Sequence, residues 1–350
     1  MFCLALETLD SYCSNMNSFW QKLRTPFFTL APMADVTDEA YRKLIAEMGK
    51  PDVMWTEFVS ADGLYHTREI KKIPDAENPL MRELLFSDIE RPIVAQIFGS
   101  NPETIRYASR LVANLGFDGV DLNMGCPDRS IEKQGAGASL IKNPTLAVKI
   151  VASAKKGVAD AHSDIPVSVK TRVGYSHEII DEWIPTILAT EPDALTVHLR
   201  TRKELSIAKA NWSLMLKIVA LRDKSGMSTR IIGNGDIRSV AEGKEKALES
   251  GADGVMIGRG VFGNPWVFSG RVYSEIPKTE RLDALVSLAH AFETLTPPKH
   301  FNILKKHIKA FVNGFNGASD LRAKLMQAES ADEITDIITA YDKQSHVETQ

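Results

Sequence analysis

FDGVDLNMGCPDRSIEKQGAGASL, residues 117–140, reads as a short buried strand, then a polar glycine-rich turn, then the approach to a helix. Val120 and Leu122 supply the strand. Asn123-Met124-Gly125-Cys126-Pro127 then puts a carboxamide and a thiol where the strand stops. Gly125 permits a tight backbone and Pro127 fixes φ while removing a donor, so the turn is shaped for a purpose. Free cysteines are often small buried hydrophobes. At a strand end, flanked by Gly and Pro, Cys126 is instead read as a working thiol, because ligands gather at such ends in α/β folds.

Outward from this stretch the same unit repeats. Short apolar runs at 27–31, 53–58, 92–98, 118–123, 166–171, 194–198, 230–234 and 253–258 alternate with helical patterns at 38–48, 102–115, 144–156, 178–189, 212–222 and 240–250. Asn101-Pro102 and Asn143-Pro144 each offer an N-cap followed by Pro at the first helical position. Gly49, Gly116 and Gly251 follow the last apolar turn of their helices. Eight strand units favour a closed TIM (β/α)8 barrel over a doubly wound sheet. Past Ile276 the pattern turns wholly helical, at 280–295, 300–313 and 320–342. The expected fold class is α/β: a barrel over residues 25–276, then a small all-helical C-terminal domain over 277–350. Residues 1–24 read as an N-terminal extension in which Met16 is a candidate true start.

Composition bounds the function. The chain has 350 residues, 44% hydrophobic and 25% charged, as expected for a soluble globular protein. A net charge of −3 gives no global field for a polyanion, so any nucleic-acid surface must be local. Three cysteines at 3, 13 and 126 make no CxxC pair and no zinc pattern, which points to a reducing compartment without structural metal. No apolar run approaches a membrane span, and the first residues lack signal-peptide character. The expected location is cytoplasmic, and the expected state a monomer with no membrane or DNA partner.

Residues at or just past the strand ends are Met33, Glu57, Gln96, Asn123 with Cys126, Lys170 with Arg172, His198, Asn234 with Asp236, and Gly258 with Arg259. In a barrel these converge on one mouth. The last two strand ends carry IIGNGDI (231–237) and IGRGVFGNP (257–265). The latter satisfies GxGxxG, but the dinucleotide fingerprint belongs to a first βα unit. Exposed amides there suit a phosphate, with Arg259 adding charge. Lys170 could form a Schiff base or serve as a fixed positive charge beside an electron-rich cofactor. With Gln96, Asn123 and His198 it suits a flat hydrogen-bonding heterocycle. A ring over the mouth and a phosphate at one side describe flavin mononucleotide. In the tail, Lys299, Lys305, Lys306, Lys309, Arg322 and Lys324 face one acid, Asp320, between 296 and 325. This local excess is suited to phosphates.

These residues resemble the tRNA-dihydrouridine synthase family. LAPMADVTD (30–38), VAQIFG (94–99), DLNMGCP…KQGAGASL (121–140), VKTRVG (169–174), IIGNGDI (231–237) and MIGRG (256–260) resemble its motifs in order, and residues 299–330 resemble its RNA-binding domain. The resemblance implies an enzyme in which NADPH reduces FMN, hydride passes from flavin N5 to C6 of a tRNA uridine, and Cys126 protonates C5. It implies FMN contacts from Pro32, Met33, Gln96, Lys170, His198, Asn234, Gly235, Asp236, Gly258 and Arg259. Asn123 would face the uracil, with Arg172, Arg200, Lys305, Lys306, Lys309 and Arg322 serving the substrate. One departure is Leu199 after His198, where the family pattern has Gly; a leucine there would crowd the flavin or alter the loop. The rivals are an FMN barrel acting on a small pyrimidine or enone, a Schiff-base lyase using Lys170, and a non-enzymatic RNA binder. Deleting 277–350 is the expected discriminator for RNA.

Overall fold

The computed structural model describes residues 18–347, with side chains to 343. Nine parallel strands build the barrel: β1 (Phe27–Leu30), β2 (Met54–Trp55), β3 (Val59–Ser60), β4 (Ile93–Phe98), β5 (Gly119–Met124), β6 (Val167–Gly174), β7 (Ala194–Thr201), β8 (Arg230–Asn234) and β9 (Gly254–Ile257). The ladder runs β1-β9-β8-β7-β6-β5-β4-β2, and β3 pairs β4 beyond β2, so β2 and β3 share one barrel position. The β1/β2 seam is narrow. A parallel bridge joins Thr29 to Val53, and the Leu30 amide donates to Val53 O at 3.1 Å.

Around it lie α1 (Glu39–Gly49), α2 (Pro102–Asn114), α3 (Pro144–Asp160), α4 (Ile180–Leu188), α5 (Leu214–Ser225) and α6 (Val240–Ser250). The expected caps form. The Asn101 side chain accepts from the Glu103 amide at 3.0 Å and the Asn143 side chain from Leu146 at 3.1 Å. Each satisfies a donor the first turn leaves without an intrahelical partner. Gly49 differs from expectation: it is the last residue of α1, and its open face lies against the Ser269 backbone.

Met16 and the residues before it lie outside the described residues, but residues 18–24 are not a free extension. Trp20 is fully buried and packs with Phe27, Val53, Trp55, Val94, Ile232 and Met256 inside the barrel. Arg230 fastens this plug by donating to the Trp20 and Gln21 carbonyls.

The helical part comprises α7 (Lys278–Glu293), α8 (Lys305–Phe311), α9 (Ala318–Leu325) and α10 (Ala331–Val347). One apolar core runs from Tyr41 and Leu44 of α1 into Leu285 and Leu288 of α7 and Ile308 and Phe311 of α8. Tyr41 and His307 rings sit 4.5 Å apart across this seam. Removing 277–350 would strip that core from the barrel, so the truncation tests folding before it tests RNA binding.

Candidate active site

A cavity of about 730 Å³ opens at the carboxyl ends of the strands. It brings together Pro32, Met33, Gln96, Asn123, Cys126, Lys170, Arg172, His198, Arg200, Asn234, Gly235, Asp236, Gly258 and Arg259. β1 and β4 to β9 supply these residues because parallel strands with right-handed crossovers all end on the same rim. Lys305, Lys306, Lys309 and Arg322 are not in the wall, although Ala310 and Asn313 beside them are.

The thiol loop is built by a chain of hydrogen bonds across three strands. Ser168 donates to Asp121 Oδ1 at 2.6 Å, and Gln96 Nε2 to Asp121 Oδ2 at 2.6 Å. That orientation makes Gln96 Oε1 the acceptor for Asn123 Nδ2 at 2.9 Å. Asn123 Oδ1 then receives the amides of Gly125 at 3.1 Å and Cys126 at 2.9 Å. Each amide is thereby fixed in one orientation, and Gln96 and Asn123 each keep one N–H. Asp121 anchors the chain, and burial lifts its carboxyl to about 6. Pattern reading passed over it because one acid in an apolar strand carries no motif. An acid at a fully buried strand position was nevertheless a legible signal, since such groups persist only when bonded.

Arg172 clamps the same loop from β6. Its Nε donates to Gly125 O at 2.7 Å, and Nη1 donates to Leu205 O at 2.9 Å and Thr201 O at 3.2 Å. Arg200 is likewise bound to protein, donating to Ala208 O, His198 Nε2 and Asp236 Oδ2. An arginine cannot accept a hydrogen bond, so His198 Nε2 is the acceptor and Nδ1 holds the ring proton. Burial, with Lys170, Arg172, Arg200 and Arg259 nearby, holds this imidazole far below its ordinary range, hence neutral. Leu199 points the other way: it is 1% exposed within the core, as period-2 alternation after His198 demands, and it does not line the cavity.

Lys170 is half-buried at the cavity floor, and desolvation pushes its ammonium down to about 8, with Arg172 adding repulsion. A base depressed on folding binds fewer protons than the unfolded chain between about 8 and its ordinary value, so stability rises with pH across that window. Lys170→Met is therefore expected to stabilise the ligand-free chain at pH 7, by on the order of 1–3 kcal/mol. Urea denaturation at pH 7 and pH 10 checks it: the gain should shrink at the higher pH.

On the far rim, Asp236 organises cations. Its Oδ1 accepts from Arg259 Nη2 at 2.5 Å, while Oδ2 takes Arg200 and the Ala210 amide at 2.8 Å. Gly235, at φ 134°, lets the chain turn here, and an added Cβ would lie 2.7 Å from that of Ala210. Residues Arg259–Val261 form a 3-10 turn whose first amides have no intrahelical acceptor.

Two basic residues depart from the expected surface. Lys299 is buried against Glu57, and Arg322 Nη1 caps Val312 O at 2.8 Å. Glu57 thereby turns from the cavity to an ion cluster. Phe58, Arg238, Asn264, Tyr273 and Asn313 line the cavity without having been singled out. Tyr273 and Asn313 could not have been, since only the packing of the helical part brings them to the rim.

Fold and site together define a (β/α)8-barrel protein with a cationic, hydrogen-bonding cavity at the mouth of its strands. Residues 29–346 match the family model described as Dihydrouridine synthase (Dus), and the chain belongs to that family. It is 39% identical over 332 residues to a Staphylococcus aureus (strain COL) protein named probable tRNA-dihydrouridine synthase, covering 93% of this chain and 96% of that one. It is 38% identical to probable tRNA-dihydrouridine synthase 2 of Bacillus subtilis (strain 168), covering 93% and 97%. Among solved structures, 2-naphthoyl-CoA reductase in complex with 2-naphthoyl-CoA aligns at TM-score 0.52 and 11% identity, over 69% of this chain and 49% of that one. That likeness is one of fold alone.

Proposed function

We propose that this chain reduces a uridine of tRNA to 5,6-dihydrouridine, with FMN in the barrel mouth and NADPH as electron donor. The observation that carries the reading is the convergence of Cys126, Lys170, neutral His198 and the Gly235/Arg259 rim on one cavity in a chain of this family. The donor set fits a flavin mononucleotide. Gln96 and Asn123 each retain an amide proton, His198 offers Nδ1–H, and Arg259 with the turn it opens supplies charge and amides for a phosphate. Pro32, Met33, Asn234, Asp236 and Gly258 complete that wall.

Bound FMN would supply the hydride, from N5 to uracil C6. Cys126 then delivers the proton to C5, which completes addition of H₂ across the double bond. Burial pushes its thiol above the usual range, so the proton is in place at neutral pH. After transfer, Arg172 and Lys170 are the charges that favour the thiolate left behind. Lys170 would also stabilise negative charge on the reduced flavin, and that anion would draw the lysine's pKa back up. The helical part meets RNA through Lys305, Lys306 and Lys309 on α8, the helix that reaches the rim at Ala310. Exposed Lys309 and half-buried Lys305 lie one turn apart. Arg322, tied to a carbonyl, shapes that surface. We place the chain in the cytoplasm as a monomer, with tRNA as its partner; among the described residues no helix is long and apolar enough to cross a membrane.

Mass mapping of dihydrouridine in tRNA from cells with and without the gene, with a visible spectrum of the purified chain, tests the reading. A yellow protein and one lost dihydrouridine support it. A yellow protein with unchanged tRNA moves the substrate to a small molecule, and a colourless one removes the mechanism. Lys305→Glu with Lys309→Glu should weaken tRNA binding about tenfold and flatten the plot of log K against log salt by about 2 units, read by filter binding.

A further inference from the structure

Lys299 sits in the linker between α7 and α8, yet its side chain is only 2% exposed. Its Nζ lies 2.5 Å from Glu57 Oε2, 3.3 Å from Glu83 Oε2 and 3.8 Å from Asp38 Oδ2. The three acids come from separate barrel segments: the turn after β2, the stretch before β4, and the N-cap of α1. Arg82 grips the same linker, its Nη1 donating to the Pro297 and Pro298 carbonyls at 3.0 Å each. The linker is therefore held by cations interleaved with carboxylates from the barrel.

The cluster also reaches the cavity. Glu57 Oε1 accepts the Asp35 amide, in the loop that carries Pro32 and Met33 into the cavity wall. That loop is held again where Thr37 Oγ1 receives the Met33 amide at 2.9 Å and Thr37 O receives Arg42 Nη1 at 2.8 Å. One buried lysine of the helical part and one wall of the site thus share a single carboxylate.

A buried ion cluster adds little stability over a well-packed apolar equivalent, but it is strict about geometry, because a small slip strands a desolvated charge. The apolar contacts along the same seam, such as Tyr41 against Phe311, are non-directional and tolerate sliding. We propose that Lys299 is a positioning residue: its cluster with Glu57, Glu83 and Asp38 sets the seat of the helical part on the barrel mouth, and with it the line along which a docked RNA brings its base to Cys126. This rests on the reading of the chain as a tRNA-reducing enzyme.

The test uses the full chain loaded with FMN. Lys299→Met alone leaves buried acids unpaired and is liable to unfold, so it is paired with Lys299→Met/Glu83→Gln, which removes one charge of each sign. Flavin content, anaerobic flavin reduction by NADPH, tRNA affinity by filter binding, kcat on tRNA and the position of dihydrouridine are measured. The double variant should keep flavin content, NADPH reduction and tRNA affinity within twofold of the parent, yet lose at least tenfold in kcat on tRNA or reduce a neighbouring uridine. Adding back Lys299→Arg in place of Met, with Glu83 restored, should recover part of the rate. A double variant with parental kcat and position overturns the proposal, as does one that loses tRNA affinity with kcat intact, which would make Lys299 part of the RNA surface. A parent chain that makes no dihydrouridine defeats instead the reading on which the proposal rests.

Discussion

Replacing Cys126 by alanine should lower dihydrouridine formation by roughly 10²–10⁴-fold, the usual contribution of a positioned general acid. Flavin content and the rate of flavin reduction by NADPH should stay near those of the parent. The loop survives the change because its geometry belongs to other groups. Asn123 Oδ1 holds the Gly125 and Cys126 amides, Arg172 holds Gly125 O, and Cys126 O accepts the Ala138 amide at 2.9 Å. None of these uses the thiol. Single-turnover reduction of tRNA by photoreduced enzyme isolates the step. Cys126→Ser should rank between parent and alanine, since a hydroxyl can occupy the position but releases its proton far less readily than a thiol. Equal single-turnover rates for parent and alanine variant would remove Cys126 from the chemistry.

Gly263→Ala should destabilise the chain by about 2–4 kcal/mol, the range set by backbone strain together with overpacking. Gly263 sits at φ 72°, and a Cβ there would lie 2.2 Å from Ala310 O and 2.5 Å from Ala310 C. The obstacle is the backbone of α8, which no rotamer can move aside. Ala310→Gly should therefore fail to rescue the variant. Denaturant midpoints for the two single changes and their combination decide it; a Gly263→Ala chain within 0.5 kcal/mol of the parent would show that α8 can lift from the rim without loss. Gly263 follows the 3-10 turn that Arg259 opens, so the change should also weaken flavin retention.

The barrel was legible because its signal is local. Each strand is a short apolar run between turn residues, each long helix an amphipathic or capped stretch, and Asn101-Pro102 and Asn143-Pro144 announced helices that the structure then capped as expected. The convergence of Met33, Gln96, Asn123, Lys170, His198 and Asn234 was legible too, because parallel strands deliver their ends to one rim whatever the lengths of the helices between them. Alternation explains Leu199 as well, once β7 is known to run straight through it to Thr201.

What escaped the sequence depends on partners distant along the chain. Nothing local separates Lys299 from Lys309, yet one is sealed among three acids and the other faces solvent. The family resemblance assigned Arg172 and Arg200 to the substrate, while the structure ties them to carbonyls and to Asp236. Trp20 lay in a segment without a pattern of its own and proved to be the plug of the barrel. By itself, then, the sequence determined the elements, their order and the chemical inventory of the mouth, because these follow from short-range backbone preference and hydrophobic period. Tertiary structure alone decided which charges are neutralised, which proton His198 keeps and where the helical part rests, because burial and pairing are properties of a neighbourhood rather than of a residue.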